Sequence, residues 1–89
     1  MPKTKEKTSK NTEAVVMKVL TETVRTVPQA IKLIHEATGL RPDKATICRW
    51  LQRGRQGIRL EGCKIGTQWV TSEEAITRFI VATTEKATV

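Results

Sequence analysis

Residues 27–54 read VPQAIKLIHEATGLRPDKATICRWLQRG, and the spacing within this stretch decides the fold. Val27, Ala30, Ile31 and Ile34 recur at i, i+3, i+4 and i+7, the apolar stripe of an amphipathic helix. Thr26 or Val27 precedes the start. Pro28 suits the first turn, where its missing N–H would have no intrahelical partner. Thr38-Gly39 closes the helix, with Gly39 as a left-handed cap. Arg41-Pro42 turns the chain, and Asp43 is a good N-cap for a second helix from Lys44 to about Arg53. In that helix Ile47, Trp50, Leu51 and Gly54 form the inward stripe, so Trp50 is expected in the core. Lys44, Ala45, Thr46, Arg49, Gln52 and Arg53 occupy the opposite face, a basic, small and hydroxylic surface that suits a DNA major groove.

Downstream, Gly54-Arg55-Gln56-Gly57 breaks the helix. Ile58-Arg59-Leu60 then alternates apolar and basic, as a half-buried strand does. Cys63-Lys64-Ile65 and Gln68-Trp69-Val70 flank Gly66-Thr67, a two-residue connection that fits a tight hairpin, with Trp69 in the core or at the hairpin base. Thr71-Ser72-Glu73-Glu74 is a helix start, capped by Ser72 or by a Thr71/Glu74 capping box. Ile76, Phe79, Ile80 and Thr83 give this last helix a buried-side spacing.

Upstream, residues 12–25 admit two readings. Val15, Val16, Val19, Leu20 and Val24 fit a helical face, yet the segment is rich in Val and Thr, which favour strands. A short helix is the expectation. The whole is therefore one domain, mainly α with a small antiparallel β-hairpin. It has a disordered basic tail at 1–11, a folded unit at 12–84 and a frayed C-terminus at 85–89.

The chain has 89 residues and a formal net charge of +7. The excess is +3 in residues 1–10, zero in 11–40, +5 in 41–68 and −1 in 69–89. The charge thus sits in a tail and in one central stretch, which points to a polyanionic partner.

Other classes find little support. With no Tyr, mechanisms that need a tyrosine nucleophile are excluded. No acid pair, Ser/His/Asp set or metal cluster is evident, and the Gly54–Gly57 loop lacks the Lys-Ser/Thr of a nucleotide-binding loop. No enzyme activity and no cofactor is expected. Cys48 and Cys63 do not form a Cys-x-x-Cys pair, so they read as two small buried hydrophobes, and His35 reads as a residue of a helix C-terminus. The longest apolar runs are four residues, Ala14 to Met17 and Phe79 to Ala82, where a membrane span needs about 20. The expectation is a soluble, cytoplasmic, nucleoid-associated protein. RNA binding lacks the exposed aromatics on which bases stack.

Several strings, in order, carry a resemblance. They are Glu22-Thr23-Val24, Val27-Pro28-Gln29-Ala30, Thr46-Ile47-Cys48-Arg49-Trp50, Gly54-x-x-Gly57-Ile58-Arg59-Leu60-Glu61, Lys64-Ile65-Gly66 and Thr71-Ser72-Glu73-Glu74-Ala75. Over residues 20–81 the chain resembles the winged helix-turn-helix domains of the excisionase and MerR-like class, and more closely a family of short uncharacterised bacterial proteins. Pro28 and Gln29 depart from the usual small-polar/Glu pair at the first helix, and the Glu36–Pro42 turn is longer than in the simplest relatives. The resemblance implies an extended lead-in near 19–25, a second helix in the major groove and the hairpin as a wing. It implies a recombination directionality factor or a transcriptional regulator, with an integrase, a recombinase or RNA polymerase as protein partner.

The DNA-contacting set expected on this frame is Arg41, Lys44, Ala45, Thr46, Arg49, Arg53, Arg55, Arg59, Lys64, Thr67 and Gln68. Arg49 and Arg53, one turn apart, can each bind guanine O6/N7, Thr46 a phosphate or thymine methyl, and Lys44 a phosphate. Arg59, Lys64, Thr67 and Gln68 would form the wing contact, with the basic tail as a flexible arm. The small size leaves a homodimer or a cooperative array on DNA open. A protein–protein adaptor or inhibitor on the same fold is the other class.

Overall fold

The computed structural model describes residues 10–88. Four helices and a three-stranded antiparallel sheet follow in the order α1 (Lys10–Leu20), β1 (Val24–Thr26), α2 (Val27–Thr38), α3 (Lys44–Gln52), β2 (Cys63–Ile65), β3 (Gln68–Ser72) and α4 (Glu73–Thr88). Among the described residues no helix is long and apolar enough to cross a membrane.

The ambiguous lead-in contains both candidate conformations. Helix α1 ends at Leu20, and Val24–Thr26 is extended. The cause lies in the next helix. Thr26 is the N-cap of α2, and a capping residue takes extended backbone, here φ −74°, ψ 169°. Its hydroxyl accepts from the Gln29 N–H, and the Gln29 side chain accepts from the Thr26 N–H. Gln29, a departure from the resemblance, closes a capping box as a Glu would. The extended residues then pair with β3, Val24 opposite Ser72 and Thr26 opposite Val70. Val24 thus leaves the helical face assigned to it, and Leu20 is exposed rather than inward.

Strand β3 is central, with order β1-β3-β2. The expected β2–β3 hairpin is present, with Cys63 opposite Val70 and Ile65 opposite Gln68. Its turn has Gly66 at φ +64° in the first central position, where a tight hairpin turn needs glycine. Ile58-Arg59-Leu60 is not a sheet strand. Arg55 and Ile58 exchange both backbone hydrogen bonds across Gln56-Gly57, and the Leu60 N–H donates to the Trp50 carbonyl at the end of α3. The apolar–basic alternation survives as Leu60 in, Arg59 out, but the backbone bond goes to a helix end.

Helix α3 follows the expected bounds, with Asp43 as N-cap and Arg53 as C-cap, and α2 closes on Gly39 at φ +80°. Ile47 and Leu51 meet Val27, Ala30 and Ile34 of α2, Leu60, and Ala75, Ile76 and Phe79 of α4 in one core. Trp50 packs on Phe79 with ring centroids 4.9 Å apart, the core role expected of it, and Trp69 lies against the same cluster. Val19, Cys63 and Val70 form a second, smaller core under α1.

Helix α4 is capped by Ser72, whose hydroxyl accepts from the Ala75 N–H. The alternative capping box does not form, because Thr71 and Glu74 bond other segments. The Thr71 hydroxyl donates to the Glu61 carbonyl, and Glu74 accepts from the Thr23 N–H and hydroxyl. Within α4 the inward stripe is Ala75, Ile76 and Phe79, while Ile80 is 41% exposed. Residues 85–88, expected to fray, are helical, and the Lys86 ammonium donates to the Gln56 carbonyl. The expected disordered tail overlaps α1 at residues 10 and 11, and residues 1–9 lie outside the described part of the chain.

Two glycines separate conformational strain from overlap. Gly39 and Gly54 both have positive φ, but a Cβ at Gly39 meets nothing, whereas one at Gly54 would overlap the Ile58 carbonyl. Gly39→Ala should cost about 1 kcal/mol and Gly54→Ala more. Urea midpoints of the two variants check the order.

Candidate nucleic-acid interface

Most cations among the described residues fall into two groups, with Lys32, exposed on α2, and Lys86, bound to the Gln56 carbonyl, outside both. Arg78 donates to both oxygens of Glu22 and to Glu61, which Lys18 also approaches at 3.5 Å. Arg25 pairs with Glu73. Arg59 donates to the Leu51 carbonyl at 3.3 Å and so caps the end of α3. These groups are engaged in holding the fold. Arg41, Lys44, Arg49, Arg53, Arg55 and Lys64 are all exposed, and none makes a hydrogen bond or ion pair with a side chain among the described residues.

The acids are distributed in the complementary way. Hydrogen bonds from Arg78, then from Ser72, hold the Glu22 carboxyl below its ordinary value of 4.5, and Glu22 and Glu61 in turn push the Arg78 pKa up. Glu74 is lowered chiefly by the Thr23 backbone N–H. Asp43 is lowered by the Thr46 hydroxyl and then the Thr46 N–H, with a weaker attraction from Arg49. Helix α3 itself, KATICRWLQ, contains no acid.

The expected contact residues do not form a single cluster. Ala45, Arg49 and Arg53 line one shallow depression on α3 together with Cys48 and Gln52. Lys44 is exposed at the start of the same helix, and Arg41 lies on the connection before it. Thr46 is half-buried and engaged with the Asp43 cap, because the N-terminal N–H groups of a helix need acceptors. Arg55 sits in the tight turn after α3. Thr67 and Gln68 are exposed at the β2–β3 turn. Arg59 and Lys64 border a different depression, between α1 and the hairpin, with Val16, Leu20, Ile65 and Trp69. Arg59 thus lies beside Lys64 at the hairpin while its guanidinium also donates to the Leu51 carbonyl at the end of α3.

Two residues of the α3 face were absent from the expected set. Gln52 is exposed on it, and Cys48 is half-buried there rather than core. The signal was the spacing 45, 48, 49, 52, 53, itself a helical stripe. Cys63 is buried as expected, and burial pushes its thiol pKa up, which disfavours the thiolate. His35 is exposed in the last turn of α2. Among the described residues no group of three His, Cys, Asp or Glu side chains is placed to hold a metal ion.

Fold and surface together define a small, mainly helical protein with a three-stranded antiparallel sheet and one acid-free cationic helix face. The chain belongs to the family described as Protein of unknown function (DUF1580), which it matches over residues 29–84, from the first turn of α2 into α4. No curated protein and no solved structure matches it.

The carboxylate network sets a pH dependence. Glu22 has a lowered pKa in the folded state, so its contribution to stability is present above the ordinary carboxylate range and is lost as pH falls through the lowered value. Urea midpoints measured from pH 7 to pH 3 should fall in the acid range. Glu22→Gln should lower stability at pH 7 by on the order of 1 kcal/mol and flatten that decline.

Proposed function

We propose that this chain is a winged helix-turn-helix protein that binds double-stranded DNA, with α3 entering the major groove and the β2–β3 hairpin as the wing. The carrying observation is the division of cations. Lys18, Arg25 and Arg78 are neutralised by Glu22, Glu61 and Glu73, while Arg41, Lys44, Arg49 and Arg53, on and around α3, make no ion pair among the described residues. A face with uncompensated positive charge attracts phosphates and releases their counterions. The order α2, connection, α3, hairpin supports the same reading.

In this reading Lys44 and Arg41 meet phosphates, and Arg49 and Arg53 reach base edges. Lys64, Thr67 and Gln68 offer a second contact from the hairpin, and Arg55 one from the turn beyond α3. The chain binds rather than catalyses and uses no cofactor. Directionality factor and transcriptional regulator both require this DNA contact, the first beside an integrase or recombinase, the second beside RNA polymerase. A single module covers roughly 600–1,000 Å² of its own surface on DNA, so a homodimer or a cooperative array supplies the remaining affinity.

A second reading, a protein–protein adaptor, is favoured by one observation. Leu20 and Ile65 are 50% and 58% exposed beside the depression between α1 and the hairpin.

Binding to mixed-sequence duplex fragments, titrated against salt, tests the DNA reading. The double substitution of Arg49 and Arg53 by Ala should weaken binding at least about tenfold and reduce the salt dependence, whereas Lys18→Ala should leave both nearly unchanged. If the double variant matches the unsubstituted protein in affinity and salt slope, α3 is not the DNA-contacting element. Leu20→Asp that leaves DNA binding intact but abolishes saturable binding to one protein would support the adaptor.

A further inference from the structure

The outward face of α3 has a composition that goes beyond charge. At about 100° per residue, Ala45, Arg49 and Gln52 point within about 40° of one direction, with Cys48 and Arg53 on the flanks. Ile47 and Leu51 point roughly opposite and are 0% and 2% exposed. The core thus fixes the rotation of α3 about its axis. Four anchors hold its ends: the Asp43 cap, the Arg53 and Gly54 N–H groups on the Arg49 carbonyl, the Leu60 N–H on the Trp50 carbonyl, and Arg59 on the Leu51 carbonyl. A helix held this way presents the same side chains to every ligand, as reading of sequence requires.

Gln52 is the informative member. It is exposed, makes no side-chain hydrogen bond among the described residues, and lines the same depression as Ala45, Cys48, Arg49 and Arg53. A neutral amide can donate to a phosphate, as the neighbouring arginines do with the added attraction of charge, but it alone on this face can also accept. An amide carries a donor and an acceptor side by side, the pattern complementary to adenine N6 and N7 in the major groove. The arginine fork matches guanine O6 and N7, and the short Ala45 side chain allows close approach with a methyl for a thymine methyl.

Resting on the DNA reading above, we infer that Gln52 is a specificity-determining residue that selects an adenine one or two base pairs from a guanine selected by Arg49. Three residues of helix advance about 4.5 Å, and one base-pair step is about 3.4 Å, so the two side chains address base pairs one or two steps apart. The charge of the face attracts the phosphates of a duplex. The neutral amide makes the contact to a base edge.

Selection of bound duplexes from a random pool, followed by sequencing, tests this with the full chain, Gln52→Ala and Arg49→Ala. Gln52 is exposed, so its substitution leaves the core untouched; thermal melting checks that both variants are folded. The full chain should enrich a motif with adenine and guanine one or two steps apart. Gln52→Ala should flatten the adenine position alone, with discrimination there falling about five- to hundredfold, and Arg49→Ala the guanine position alone. An adenine preference unchanged in Gln52→Ala overturns the inference, as does a Gln52→Ala loss that is equal for all sequences. Those outcomes leave the DNA reading standing. If the full chain enriches nothing and does not bind duplex DNA at all, both fall together.

Discussion

The guanidinium of Arg78 is the interaction on which the rest of the arrangement depends. It is donated from the second turn of α4 to Glu22, in the turn after α1, and to Glu61, in the segment entering β2. Glu22 also accepts from the Ser72 hydroxyl at 2.6 Å, the same hydroxyl that caps α4. Three chain segments remote in sequence are thereby joined at one point beside the central strand. A planar, permanently charged fork suits this role, because it satisfies two carboxylates at once. The cluster is only partly buried, with the Arg78 side chain 40% exposed, so solvent relieves the desolvation that a fully buried network would suffer.

This placement of acids has a consequence for function. Glu22, Glu61, Glu73 and Glu74 all bond within or beside the sheet, and Asp43 caps α3. The positive charge of residues 41–68 is left with little compensation of its own. Charge asymmetry follows from the same contacts that stabilise the fold. Helix α3, set between the core and that uncompensated surface, is oriented by apolar packing on one side and open on the other.

Much of this was legible in the sequence. The α2 and α3 stripes, the Gly39 and Asp43 caps, the Gly66-Thr67 hairpin and the Trp50 packing are local patterns, set by periodicity and by residues that suit particular backbone angles. Three features were not. The point where the lead-in changes from helix to strand was open: the Val/Thr content and the resemblance both offered an extended reading, but the Thr26 cap and the β3 edge together place it at residues 24–26. Ile58-Arg59-Leu60 shows strand alternation, but its backbone donor met a helix carbonyl first. Ile80 has helical spacing yet faces outward, because α4 buries a narrower stripe than its apolar content allows. In the candidate interface, α3 and its arginines were legible, whereas the engagement of Thr46 and Arg59 in capping was not.

By itself, then, the sequence determined the helical pair, the hairpin, the location of the net charge and the basic character of the α3 face, since each rests on neighbours within about two helical turns. Only the tertiary structure decided which cations stay available. Lys18, Arg25, Arg59 and Arg78 look no different in sequence from Arg41, Arg49 and Arg53. The acids that pair with Lys18, Arg25 and Arg78 are brought to them by strand pairing and helix packing across tens of residues, and the Leu51 carbonyl is brought to Arg59 by the turn after α3; each bond forms only where the fold places an acceptor within a few ångströms.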